Sequence, residues 1–128
     1  MDFQIKLFHW LDKGNHVIGI IRGLIDFRGF EQIFREVAEM TQPFLGCQVL
    51  IDLRDAWYSL EPSNIQVLVN DSWPDQWPLH NKIALVSPSG AEHHDQLLTL
   101  SACLSNRGVR VCVFYDVKGA IDWLADKA

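Results

Sequence analysis

Four stretches of the chain carry side chains whose type and spacing could do chemistry. Asp52-Leu-Arg-Asp55 sets two carboxylates around one guanidinium, a pattern that either fixes a loop through an ion pair or meets a charged ligand. Ser59, Ser63, Ser87 and Ser89 place hydroxyls, with Asp26 and Asp116, near expected helix starts, where such groups cap the helix or contact a ligand. Trp73-Pro-Asp-Gln-Trp-Pro78 puts Trp73 and Trp77 in a proline-braced connector. The two indoles act there either as a plug that seats the loop on the core or as an aromatic surface for a partner or an apolar ligand. His93 and His94 are adjacent, so on a helix they point about 100° apart and cannot chelate one metal from one face. They read as part of a solvated face. The chain has no G-x-S-x-G, P-loop, G-x-G-x-x-G or H-E-x-x-H pattern. No catalytic residue, cofactor or metal is therefore assigned, and the polar residues point to binding rather than turnover.

Whole-chain properties narrow the partners. A chain of 128 residues is of one-domain length, and residues 1–128 are read as a single domain. The formal net charge is −5, and the cations are scattered singly. That lacks the footprint of a nucleic-acid binder and disfavours adsorption to anionic lipid. No stretch approaches the ~20 apolar residues of a membrane span, and no cationic start precedes an apolar run. Cys47, Cys103 and Cys112 cannot all pair and lack metal-ligand spacing. Each lies in an apolar segment, as expected of buried reduced thiols, and the expected location is cytoplasmic.

The elements that must position these groups are legible from periodicity. Phe3, Ile5 and Leu7 alternate with polar residues, and His16 to Arg22 follows the turn cluster Asp12-Lys-Gly-Asn15, which predicts an antiparallel hairpin. Asp26 then caps a helix carrying Phe30, Ile33, Phe34, Val37 and Met40, ended by Pro43 and Gly46. Strand Cys47–Leu53 leads to a helix that begins near Ser59–Ser63, and strand Lys82–Val86 follows. Ser89-Gly-Ala-Glu92 has the form of a capping box for a third helix that stops at Gly108. Strand Arg110–Tyr115 and a last helix capped by Asp116 complete an α/β chain of five strands and four helices. Strand alternating with helix implies a mostly parallel sheet behind the N-terminal hairpin. One sheet face (Val49, Ile51, Leu53, Ile83, Leu85, Val111, Val113) should be fully packed by helices. The other (Gln48, Leu50, Asp52, Lys82, Ala84, Val86, Arg110, Cys112, Phe114) is either partly covered by one of the chain's own helices or open to a partner or a second copy.

This order of elements resembles the STAS or SpoIIAA-like family. Leu50-Ile-Asp-Leu-Arg-Asp-Ala56 looks like its third strand, Lys82-Ile-Ala-Leu-Val-Ser87 like its next, and Val113-Phe-Tyr-Asp116 through Ala120-Ile-Asp-Trp-Leu124 like its closing strand and helix. The resemblance implies a non-enzymatic regulatory module that binds a protein partner, a nucleotide or a lipid-like ligand. Self-association into a homodimer is expected through the less covered sheet face or the Trp loop. The alternative is a carrier or sensor of a small apolar molecule held among the second helix, the Trp loop and the third helix. In the antagonist branch of the family a serine at the start of the helix after strand three is phosphorylated within a D-S-x-G motif. Glu61-Pro-Ser-Asn64 stands there, so the resemblance points to Ser63, with Ser59 as the alternative, although the acid is one residue early and the glycine is missing. Ile51-Asp-Leu-Arg54 also resembles the phospho-acceptor strand of a receiver domain, but Arg22-Gly-Leu-Ile25 stands where a receiver needs its acidic pair.

Ligands of open parallel sheets gather at the carboxyl ends of the strands. The expected ligand or partner edge is therefore Asp52, Arg54, Asp55, Ser87 and Asp116, with Ser59, Ser63, Trp73 and Trp77 beside it.

Overall fold

The structure is a computed structural model that describes residues 2–10, 14–42, 47–71, 82–88 and 90–125. Its elements in chain order are β1 (Asp2–Trp10), β2 (Gly14–Ile25), α1 (Phe27–Thr41), β3 (Gln48–Tyr58), α2 (Pro62–Asn70), β4 (Lys82–Val86), α3 (Ala91–Asn106), β5 (Arg110–Phe114) and α4 (Val117–Ala125). The strands form one sheet in the order β1-β2-β3-β4-β5. β1 lies antiparallel to β2, and β2 through β5 run parallel. Asp12, Pro43, Gly46, Trp73, Trp77 and Ser89, with the turn, helix-stop, plug and capping roles expected of them, lie outside the described residues.

Local chemistry accounts for the element boundaries. The Asp26 carboxylate accepts the Gly29 N–H at 2.8 Å and starts α1. Asp116 does the same for α4 through Gly119 at 2.7 Å. Gly108, at φ 89°, ends α3 in a left-handed turn that lets the Val109 N–H reach the Leu104 carbonyl at 3.1 Å. The start of α2 departs from expectation, because neither Ser59 nor Ser63 caps it. Pro62 occupies the first helical position, and the Asn64 side chain accepts the Glu61 N–H at 3.3 Å.

The helices divide between the two sheet faces. Phe30, Ile33, Phe34 and Val37 of α1, Ile65 and Leu68 of α2, and Leu97, Leu100 and Leu104 of α3 bury Val49, Ile51, Leu53, Ile83 and Leu85. Val111 and Val113 are only partly buried, because β5 is an edge strand. On the opposite face Ala120 and Leu124 of α4 pack on Leu50, Ala84 and Val86, with Ile18, Phe114 and Trp123 around them. That face is therefore covered over β3 to β5 by the chain's own last helix. Lys82, placed by its strand position on the thinly covered face, is 3% exposed and donates from Nζ to the Trp123 carbonyl at 3.1 Å. The C-terminal turn of α4 supplies that oxygen, at the end of a helix that favours a cation.

Cys47 is fully buried, and desolvation pushes its thiol up to about 11, against a small opposing contribution from a Val17 backbone hydrogen bond. The thiolate is the reactive form. Thiol labelling of the native protein at pH 8 is therefore expected to modify the half-buried Cys103 and Cys112 first and Cys47 only as the chain unfolds. Peptide mapping that finds Cys47 labelled as fast as the other two would contradict this packing.

Candidate functional site

The carboxyl end of the sheet is shaped by an irregularity in β3. Ile20 pairs with Asp52, but Arg22 pairs with Asp55, so β3 carries one extra residue at this point. The bulge leaves both Arg54 and Asp55 exposed in succession, after which Ala56 and Tyr58 turn inward and Trp57 outward. β3 then runs on to Tyr58, beyond the last rung of β4, where Asp52 pairs with Val86. The sequence reading ended this strand at Leu53, because two consecutive polar residues break the alternation that marks a strand.

Asp52 and Arg54 form a closed unit at the bulge. The Asp52 carboxylate accepts the Arg54 backbone N–H at 3.1 Å, Nε at 3.0 Å and Nη2 at 2.8 Å. Burial alone would raise the Asp52 carboxyl. The hydrogen bonds from the Arg54 side chain and backbone, with the charges of Arg54 and Arg22, outweigh that and hold it below the usual carboxylate value. The pair pins the bulge, so neither group is free as an acid, base or nucleophile. Because the folded carboxyl has the lower pKa, its contribution to stability is present above about pH 4 and is lost as the pH falls through the lowered value. Asp52→Asn is expected to cost about 1 kcal/mol near neutral pH, discounted for the half-exposed arginine, and to lower Tm by roughly 4 °C. Thermal melts should show the variant losing less stability than wild type between pH 5 and pH 2.

The other expected site residues fall in different settings. Ser87 stands at the end of β4 as expected, but it is 2% exposed and turned inward, with its hydroxyl donating to the Pro88 carbonyl at 2.9 Å. Asp116 is committed to capping α4. Asp55 is exposed, and among the described residues it makes no ion pair.

Ser59 lines an open cleft of about 690 Å³ between the start of α2 and α3. Leu60, Pro62 and Ile65 give it an apolar floor, and Glu61, Glu92 and Asp95 a rim of carboxylates. Gln96 braces one wall by accepting the Leu60 N–H at 2.8 Å. Ser63 is exposed in the first turn of α2, next to this cleft and outside its lining. Among the described residues none of the three rim carboxylates has a cation within salt-bridge distance.

His93 and His94 are both buried, which corrects the solvated-face reading. The first turn of α3 is wedged between two strand ends, so two directions 100° apart are both covered. The His93 ring lies 4.7 Å from that of Trp57 and 5.2 Å from that of Tyr58, and the Tyr58 hydroxyl donates to the His93 carbonyl at 3.3 Å. His94 stacks on Tyr115 at 4.0 Å. Burial raises the Tyr58 phenol above its ordinary pKa, so this ring is a structural anchor that stays protonated. Among the described residues no three His, Cys, Asp or Glu side chains converge as a metal-binding group.

Comparison with solved structures fixes the frame in which these residues sit. A protein of the DUF3478 family from Shewanella loihica, described as having a SpoIIAA-like fold, matches with a TM-score of 0.57 over 95% of this chain and 93% of its own, at 16% identity. The chain has a SpoIIAA-like fold. The unphosphorylated anti-sigma factor antagonist SpoIIAA is also matched, with a TM-score of 0.48 over 94% of this chain and 97% of its own, at 13% identity. No protein-family model and no curated protein matches the sequence. The sheet order also separates this SpoIIAA-like chain from a receiver, whose order is 2-1-3-4-5. Among the described residues no helix is long and apolar enough to cross a membrane.

Sequence reasoning missed Trp57 and Leu24. Trp57 is 64% exposed and Leu24 71%, and the two are register partners at the end of β2 and β3, where the Trp57 ring leans on His93 at the start of α3. Their signal was the apolar spacing Ile20, Leu24, Trp57, which becomes readable only once β2 and β3 are carried through the bulge.

Proposed function

We propose that this chain is a non-enzymatic regulatory module of the STAS type that binds a protein partner through the cleft between α2 and α3. The supporting observation is the composition of that cleft: buried Leu60 and Ile65 at its base, and Glu61, Glu92 and Asp95 around it without cations. An apolar floor inside a ring of one charge selects a segment that is apolar at its centre and basic at its flanks. The SpoIIAA-like fold is in keeping with this reading. The polar groups nearby are engaged in holding the backbone, at Asp52, Ser87 and Asp116, which favours binding over catalysis.

Ser59 and Ser63 are the candidate phospho-acceptors. A phosphate on Ser59 would add nearly two negative charges inside the acidic cleft, and one on Ser63 would alter its edge at a helix N-terminus. Either would change the affinity for a basic segment without moving the fold. Ser63→Asp is accordingly expected to alter partner binding, and Ser63→Ala to leave it near the wild-type level.

The test uses a peptide of about ten residues with an apolar centre and lysine flanks, titrated into isotope-labelled protein. Amide shifts should map to 59–65 and 92–99 and vanish when Glu92→Lys and Asp95→Lys are combined. Shifts confined to the acidic surface of α1, around Glu31, Glu36 and Glu39, would overturn the assignment.

A further inference from the structure

The part of the sheet face that α4 leaves uncovered carries an unusual sequence of rungs. Ile20 pairs with Asp52, Arg22 with Asp55 and Leu24 with Trp57. Ile20, Leu24 and Trp57 are exposed large apolar side chains, 37%, 71% and 64% accessible. Between the apolar rungs lie the exposed Arg22 and Asp55, neither of which forms an ion pair among the described residues. The last two rungs stand beyond the end of β4, and neither Leu24 nor Trp57 belongs to the cluster that packs with α4. Exposed tryptophan beside leucine is costly in water, and tryptophan dominates contact energies where it is buried by a partner.

We infer that this patch is the contact face of a two-fold homodimer. The argument is its charge pattern. A two-fold axis running along the strands between β2 and β3 exchanges their positions. It sets Leu24 of each copy against Trp57 of the other, and Arg22 against Asp55, so the contacts at these two rungs are complementary. A partner of either single charge would leave Asp55 or Arg22 facing a like charge, which a second copy avoids. Below these rungs the copies splay apart, which clears the two α4 helices. The cleft between α2 and α3 is formed by other elements and stays open, so this inference stands independently of the proposed partner site.

Sedimentation equilibrium of the full chain tests it. Wild type is expected to shift between one and two chain masses with concentration, and Trp57→Ser to weaken the dimer at least about 30-fold with an unchanged circular dichroism spectrum. Arg22→Asp and Asp55→Arg should each be monomeric alone, since each homodimer would oppose like charges twice. Mixed in equal amounts they should dimerise, because both charged positions of the first variant are then aspartates and both of the second are arginines, so each contact joins opposite charges. Wild type that stays monomeric to about 1 mM overturns the inference. So does a dimer indifferent to both charge reversals, or two single variants that fail to associate when mixed.

Discussion

Phe30→Ala is expected to lower the melting temperature by roughly 10–20 °C, a loss of about 3–5 kcal/mol. Phe30 is 1% exposed and meets the Tyr58 ring edge-on at 5.2 Å, with Phe34 beside it at 6.3 Å. Removing it takes away the transfer energy of a full aromatic ring and leaves a cavity that the surrounding sheet cannot collapse into. The damage should also be directional. Phe30 supports Tyr58, Tyr58 holds the His93 carbonyl, and His93 packs on Trp57, so α1, the extension of β3 and the start of α3 form one chain of contacts. Calorimetry gives the global loss. Hydrogen exchange should show the amides of 55–58 and 92–95 losing more protection than those of α4. Equal losses throughout would mean that the ring cluster does not position this end of the sheet.

Lys82→Glu is expected to cost about 3 kcal/mol and to release α4 from the sheet, the sum of a lost cation contact worth up to about 2 kcal/mol and an added repulsion. Lys82 is buried and gives its ammonium to the Trp123 carbonyl, with the Trp123 ring 5.2 Å from Nζ. A carboxylate there would face a carbonyl oxygen at the negative end of a helix. Lys82→Met keeps the apolar stem against Trp123 and loses the charged hydrogen bond and the cation–ring contact without adding a repulsion, so about 1–2 kcal/mol is expected. Urea denaturation measures both, and exchange over 117–125 should report the release of α4 in the glutamate variant alone. Glutamate and methionine variants of equal stability would show that Lys82 contributes packing and no electrostatic hold.

These effects explain which parts of the molecule the sequence exposed. Caps and stops were readable because one residue suffices for each: Asp26 and Asp116 accept the first N–H groups of their helices, and Gly108 supplies a positive φ. Alternation separated the two sheet faces for the same local reason. The bulge at Arg54 was unreadable, since an extra residue in one strand makes sense only against the register of its neighbour. With it went the extension to Tyr58 and the exposed pair Leu24 and Trp57. The two histidines were misread because helical periodicity tells where side chains point and not what stands there. At the start of α2, Pro62 and Asn64 displaced the serines from the capping role, which left Ser59 lining the cleft and Ser63 on the exposed first turn next to it.

The partner site is tested most directly by placing a photo-crosslinking amino acid at position 63, beside the cleft, and in a separate strain at position 39 on the far surface of α1. Irradiation of living cells should join position 63 to one discrete protein, with none at position 39, and the adduct should disappear when Glu92→Lys and Asp95→Lys are introduced together. No adduct at position 63, the same adducts at both positions, or an adduct indifferent to the charge reversal would contradict a regulatory module that binds through this cleft.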